Sequence, residues 1–444
     1  MKAQFLIAAP SSNSGKTTLT LGLLRLLHNR GLKAQPFKCG PDYIDTKHHT
    51  LAAKKQSINL DTFMMSHEHV TKLYSKYSAN ADVVITEGVM GLFDGANRMQ
   101  GSSAEIAMLL NLPVILVVNA KAMAYSVAPI LYGFKHFNKE VKIAGVIFNF
   151  VNTESHYRFL KEACEDVGLE ALGYIPINDA IKIPSRYLGL AISLENDYDA
   201  MIEQAALHIS KTVNIKRLLE MSLNETVNND KEEVVDTTHR KNKLKITIAR
   251  DDAFNFTYYE NIEAFKRLGE VTFFSPINDI TLPETDLLYL AGGYPELFLN
   301  ELSANKQMRE AVKAFCNHGG KVIAECGGMM YLGKSIVDKD GKGYPMCGFL
   351  DIETSMKEAK LSLGYRTIKI NGKIGKGHEF HYSTCKELGV IYQIGEAQNA
   401  KGEKVNTPIY KQKNVTASYV HFYWGENSEM INAIIQADFM QITR

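Results

Sequence analysis

The hydrophobic pattern changes period repeatedly along the chain. Residues 4–9 form an almost continuous apolar run and predict a strand, whereas 17–27 carry leucines at 19, 21, 23, 24, 26 and 27 and predict a helix. Residues 81–86, 114–119 and 142–148 predict further strands. Strands that stay apolar through their length and alternate with helices belong to a parallel sheet covered on both faces. The alternation restarts at 244–249 and continues through 270–274, 287–290 and 321–324. Between the two runs, residues 224–243 contain nine charged side chains and only three apolar ones, Val227, Val234 and Val235. This predicts a linker joining two α/β domains, a parallel-sheet unit over 1–223 and a second unit over 244–444. Residues 335–415 are richer in Gly and Lys and alternate in places, as at 365–370, which predicts antiparallel strands.

Composition narrows the function classes. The 444 residues carry 50 Lys+Arg against 49 Asp+Glu, a net charge of +1. That balance argues against a nucleic-acid partner bound by bulk phosphate neutralisation, while leaving room for a local anion site. The six cysteines (39, 164, 316, 326, 347 and 385) match neither a disulfide framework nor a zinc-ligand spacing, and they fit a reducing, cytoplasmic setting. The opening apolar run stops at Pro10, which argues against a signal peptide. The most apolar stretch, residues 112–118, is far short of the ~20 residues that span a bilayer, so no membrane partner is expected.

Candidate chemistry begins between the first predicted strand and helix, in Pro10-Ser11-Ser12-Asn13-Ser14-Gly15-Lys16-Thr17-Thr18. A glycine-lysine-threonine loop at that place presents backbone N–H groups and a helix N-terminus to phosphate oxygens. Asn13, Ser14, Gly15, Lys16, Thr17 and Thr18 are the expected ATP contacts, with Lys16 on the terminal phosphates and Thr17 on Mg²⁺. The strict pattern has Gly at position 10; here Pro removes one donor. A serine-rich helix-capping turn is the plainer alternative, and Gly-Lys-Thr directly after a strand weighs against it. Further Mg²⁺ ligands are expected from Glu87, at the end of an apolar strand, and Asp42 in Gly40-Pro41-Asp42-Tyr43-Ile44-Asp45. Asp45 and Asp94, the latter in Gly91-Leu92-Phe93-Asp94-Gly95, are candidates for substrate contact. Each aspartate alone reads as a turn residue satisfying its own backbone; three acidic clusters beside glycines in one nucleotide domain point to metal and substrate work. Asn149 either contacts the nucleotide base or starts a turn at its strand end.

The second unit offers a nucleophile. Glu325-Cys326-Gly327-Gly328 follows an apolar run, the context of a strained strand-to-helix elbow that exposes sulfur. Gly292 and Gly293, after another strand, are a source of oxyanion donors. A thiol needs a base; His421 ends a later strand-like run, and His378 and His381 in Gly377-His378-Glu379-Phe380-His381 compete with it on chemistry alone. Their context also suits substrate or interface contact, and a buried cysteine or histidine is often only a packing residue.

Together the stretches 40–45, 87–95, 250–256, 292–296, 325–328 and 377–383 resemble the cobyrinic acid a,c-diamide synthase family nearly end to end. The resemblance implies a dethiobiotin-synthetase-like ATP-dependent ligase domain followed by a class I glutamine amidotransferase domain. It implies L-glutamine, ATP and a corrinoid polycarboxylate as substrates, an acyl phosphate intermediate, and ammonia released by Cys326 with His421 as base. Many class I amidotransferases carry Glu two residues after that His, where this chain has Tyr423, so a Cys–His dyad is implied. Hydrogenobyrinic acid or nickel-sirohydrochlorin are alternative macrocycles, and a homo-oligomer is left open. From a different class, a P-loop switch ATPase of the partitioning or metallochaperone type shares the loop. Such proteins often have an early loop lysine where this chain has Ser11, and they have no use for Cys326.

Overall fold

A computed structural model describes residues 1–183, 195–225, 244–426, 429–431 and 434, so most of the predicted linker, 226–243, lies outside the described residues. The chain divides into two compact units, one containing the described residues up to 225 and the other those from 244 onward.

In the first unit, β1 (Lys2–Ala8), β2 (Ala34–Cys39), β3 (Ile58–Leu60), β4 (Val83–Glu87), β5 (Val114–Asn119), β6 (Ile143–Asn149) and β7 (Glu170–Ile175) run parallel in the order β3-β2-β4-β1-β5-β6-β7. Helix α1 (Lys16–Asn29) follows β1 and buries Leu19, Leu21, Leu23, Leu24 and Leu27 in the same core as Phe5 and Ile7. An antiparallel strand, β8 (Leu223–Asn224), pairs Leu223 with Ala3 and Asn224 with Lys2. The predicted linker therefore begins too early. Asn224 belongs to the sheet, because backbone pairing with β1 outweighs the polar character of its side chain.

In the second unit, β9 (Leu244–Ala249), β10 (Gly269–Phe274), β11 (Leu287–Leu290) and β12 (Lys321–Glu325) form a parallel set in the order β10-β9-β11-β12. Strand Val415–Ser418 adds parallel to β12, and Ile409–Gln412 and Tyr392–Gln393 complete the sheet antiparallel. The Gly- and Lys-rich section forms mainly antiparallel strands. Among them Ser362–Ile370 pairs with Lys373–His381, which pairs in turn with Val420–Phe422. Among the described residues no helix is long and apolar enough to cross a membrane.

Arg25 shows how the first unit is tied together. It is 4% exposed, yet donates to the backbone oxygens of Leu51 (3.0 Å) and Ala52 (3.2 Å) in the last turn of α2 (Ile44–Ala53). Its guanidinium also pairs with Asp199 and Glu203 of helix Glu195–Ile209. One side chain on α1 thus supplies donors to carbonyls that α2 cannot satisfy itself. Replacement Arg25→Leu is expected to lower unfolding free energy by about 1–3 kcal/mol, the usual effect of stranding buried acceptors. Urea unfolding of the two proteins side by side checks this, and equal midpoints would refute it.

Candidate functional site

The loop between β1 and α1 is held in shape by backbone conformation and by one asparagine. Asn13 and Gly15 are left-handed, at φ 61° and 97°. A Cβ on Gly15 would lie 2.0 Å from Asn149 Nδ2, so the asparagine occupies the space any side chain would need. That same Nδ2 donates to the Ser14 carbonyl at 3.0 Å. Asn149 therefore braces the loop from the end of β6, a role neither sequence reading assigned it. Ser14 Oγ donates to Ser11 O at 3.0 Å, and Thr18 follows in the first turn of α1. Lys16 Nζ donates to Met90 O at 2.6 Å and Ser11 O at 3.3 Å. Burial, with neighbouring Lys38 adding to it, brings this ammonium down to about 8, against the opposing pull of Glu87 and Asp94.

Glu87 is the centre of the first cluster. It ends β4, is fully buried, and accepts from Thr17 Oγ1 at 2.7 Å and Lys38 Nζ at 2.8 Å through Oε1. Its Oε2 faces His49 Nε2 at 2.7 Å. Lys38 also pairs with Asp45 Oδ2 at 2.8 Å. Burial alone would raise Glu87, but Lys38 and His49 outweigh it and hold the carboxyl well below the usual carboxylate range. Thr17, Glu87 and Asp45 are thus linked in one network, through the Lys38 bridge. Asp42 and Asp94 make the turn contacts expected of isolated aspartates. Asp42 Oδ1 accepts from the amides of Ile44 (2.9 Å) and Asp45 (2.7 Å), and Asp94 Oδ2 from that of Gly91 (2.9 Å). Lys38 and His49 escaped the sequence reading. A histidine four residues after Asp45 on one helix face was the available signal, whereas Lys38, next to last on a strand that contains Pro36, offered none.

Thr17 and Glu87 supply adjacent oxygen donors of the kind a hard divalent cation takes. Among the described residues no three His, Cys, Asp or Glu side chains cluster as a metal site on their own. A cation here would draw its remaining ligands from phosphate and water.

In the second unit Cys326 sits between β12 and helix Gly327–Leu332 at φ 46°, ψ −105°. That strained conformation is the elbow its sequence context predicts. Its amide donates to Ser418 O at 2.7 Å, and its Sγ lies 3.8 Å from Phe380 O. Burial, reinforced by Glu296, pushes the thiol well above its ordinary range. A Cβ on Gly327 would stand 3.1 Å from Gly293 N, so these two backbones approach closely beside the sulfur. A Cβ on Gly292 would fall 2.1 Å from His421 Cε1; the glycine leaves room for the imidazole. His421 is buried on strand Val420–Phe422, opposite His378 in the ladder. Burial, with His378 and His381 adding, holds its imidazole down to about 3.

His381 is occupied elsewhere. Its Nε2 faces Glu379 Oε1 and its Nδ1 faces Ser383 O, both at 2.8 Å, and the ring stacks on Tyr419 at 3.6 Å. Glu379 is in turn held by Arg366 (2.7 Å) and Thr407 (2.8 Å). Both His381 nitrogens are thus turned to Ser383 O and Glu379. Glu379 and Glu325, each beside a predicted residue, were also missed as contributors.

Residues 5–190 match the CobQ/CobB/MinD/ParA nucleotide binding domain, and residues 245–429 the CobB/CobQ-like glutamine amidotransferase domain. A cobyrinate a,c-diamide synthase of Caldanaerobacter subterraneus subsp. tengcongensis is 39% identical, over 94% of each chain. One from Picrophilus torridus is 38% identical, over 97% of this chain and 98% of its own. A hydrogenobyrinate a,c-diamide synthase of Brucella anthropi is also 38% identical, over 94% of this chain and 97% of its own. With both domains matched in order and relatives aligned nearly end to end, the chain belongs to the cobyrinate a,c-diamide synthase family.

Proposed function

We propose that this chain is an ATP- and glutamine-dependent ligase that amidates the a and c side-chain carboxylates of cobyrinic acid. The observation that carries the reading is the pairing, within one chain of this family, of a phosphate loop whose Thr17 touches Glu87 and an elbow cysteine. The switch-ATPase alternative leaves the second of these without a purpose. The division of labour follows the two units, with residues 1–223 for ligation and 244–444 for glutamine hydrolysis. A cytoplasmic setting is consistent with six free thiols.

In the first unit the amides of residues 13–18 and Lys16 bind the ATP phosphates, while Thr17 and Glu87 would hold Mg²⁺ together with phosphate and water oxygens. When bound, that ion supplies neutralisation of phosphate charge. A substrate carboxylate oxygen attacks the γ-phosphorus, the bond to the β,γ-bridging oxygen breaks, and ADP leaves. Lys38, bonded to Glu87, Gly88 O and Asp45, holds those two carboxylates in place; Asp45 and Asp94 contact the substrate. Ammonia then attacks the acyl carbon and inorganic phosphate departs, leaving the amide.

In the second unit the resting pair is a neutral thiol and a neutral imidazole, because burial disfavours both charged forms. His421 can therefore accept the Cys326 proton as sulfur attacks the glutamine amide carbon, and pass it to the departing ammonia. Backbone N–H groups at Gly293 and Gly327 face the developing oxyanion, with Gly292 making space for the base. Water hydrolyses the thioester and releases glutamate. His378, opposite His421, contributes to the site from the facing strand.

Substitution Cys326→Ser is expected to abolish glutamine-driven amidation and to leave ammonium-driven amidation within about twofold of the parent. Loss of both would refute separate sites. Lys16→Ala is expected to depress amidation with either nitrogen donor by roughly 100-fold or more, the scale of losing a preorganised charge on a transition state, while glutamate release persists. Mass spectrometry of products from cobyrinic acid, hydrogenobyrinic acid and nickel-sirohydrochlorin, each with ATP, Mg²⁺ and glutamine, tests the macrocycle. A double amide on cobyrinic acid is expected, and amidation confined to another member of the panel would overturn that choice.

A further inference from the structure

Glu325, immediately before the nucleophile, has no part in the chemistry above, yet it is 2% exposed and fully engaged. Its Oε1 accepts from the indole Nε1 of Trp424 at 2.8 Å, and its Oε2 bonds the Tyr289 hydroxyl at 2.7 Å. The three partners arrive from separate places. Glu325 ends β12, Tyr289 lies on β11, and Trp424 stands three residues beyond His421. Trp424 is fixed a second time through its backbone. Asn261 Oδ1 accepts from Trp424 N at 2.6 Å, and Asn261 Nδ2 donates to Phe422 O at 2.8 Å. Both contacts bracket the segment that leaves His421, and Trp424 itself is 1% exposed.

We infer that Glu325 is the positioning residue of the Cys326–His421 pair, locking the strand that carries the base to the strand that carries the nucleophile. The inference rests on the reading of that pair as the glutamine-hydrolysing centre. It supplies a fixed frame for the imidazole in a chain where Tyr423 stands two residues after the histidine. The bond to Trp424 has one direction, since an indole N–H only donates. The bond to Tyr289 can run either way, so the link holds whether the carboxyl is charged or neutral. Burial pushes this carboxyl up to about 8, with Tyr289 and Trp424 opposing, which makes that tolerance relevant near neutral pH. The required feature is thus one acceptor and one invertible partner rather than a charge.

Three variants of the full-length protein test this, assayed with glutamine and with ammonium salt as alternative donors. Glu325→Leu removes both bonds. Glutamine-driven kcat should fall about 100-fold, the scale of a misplaced reacting pair, with KM for glutamine little changed and ammonium-driven kcat within twofold. Glu325→Gln keeps an acceptor for the indole and a donor for Tyr289, so glutamine-driven kcat should return to within a few-fold of the parent. Trp424→Phe removes only the indole N–H and should lower glutamine-driven kcat several-fold. It carries the test if the leucine variant fails to fold. Alkylation of Cys326 by iodoacetamide, followed on its own peptide by mass spectrometry, should change in rate in the leucine and phenylalanine variants and not in the glutamine one. Full glutamine-driven turnover in Glu325→Leu, or in Trp424→Phe, would overturn the inference. So would a glutamine variant as impaired as the leucine one, or parallel loss with both donors. If instead Cys326→Ser still uses glutamine, the reading of the pair fails before that of its support.

Discussion

A parallel strand covered on both faces leaves a polar side chain almost nowhere to go except its ends. That constraint shapes both units. Glu87 closes β4, Lys38 stands one residue from the end of β2, Asn149 closes β6 and Glu325 closes β12. Between those ends the strands are buried and mostly apolar, as Val83, Val84 and Ile85 illustrate on β4, with Gln35 and Thr86 as buried polar exceptions. The chemistry is confined to an edge because the centre of each sheet cannot accept it.

At that edge the two units handle charge in opposite ways. The first keeps its charges and compensates them. Glu87 is buried as an anion because a lysine, a histidine and a threonine hydroxyl converge on it. Phosphoryl transfer needs fixed charges of this kind, already oriented before the substrate arrives. The second unit suppresses charge. Burial pushes the Cys326 thiol up and the His421 imidazole down, so both shifts favour the neutral forms.

Much of this was legible in the sequence because the strongest signals are local. The strand–loop–helix around Lys16, the strands at 114–119, 244–249 and 287–290, and the Cys326 elbow each announce themselves within about ten residues. What escaped is either short or contextual. β3 has three residues, too few for a period, and β2 contains Pro36, which ordinarily argues against a strand inside a sheet. The fold accommodates that proline because β3 pairs with β2 only from Phe37 onward. Lys38 and His49 acquire their meaning from Glu87, 49 and 38 residues on, and Glu325 from Tyr289 and Trp424, 36 and 99 residues away. No window of sequence contains both members of such a pair. Asp42 and Asp94 show the converse. Their turn contacts were the ordinary expectation, and for Asp94 those contacts coexist with a location beside the loop, where its charge acts on Lys16.

The small strand β8 has a consequence for how such a protein can arise. By pairing Leu223 and Asn224 with the first residues of β1, it brings the end of the nucleotide half back to its beginning. A module whose two ends lie side by side on one sheet can be joined to another chain, or separated from it, without cutting through its core. The two units are therefore pieces with independent architecture, the first of them closed on itself by its own terminal strand.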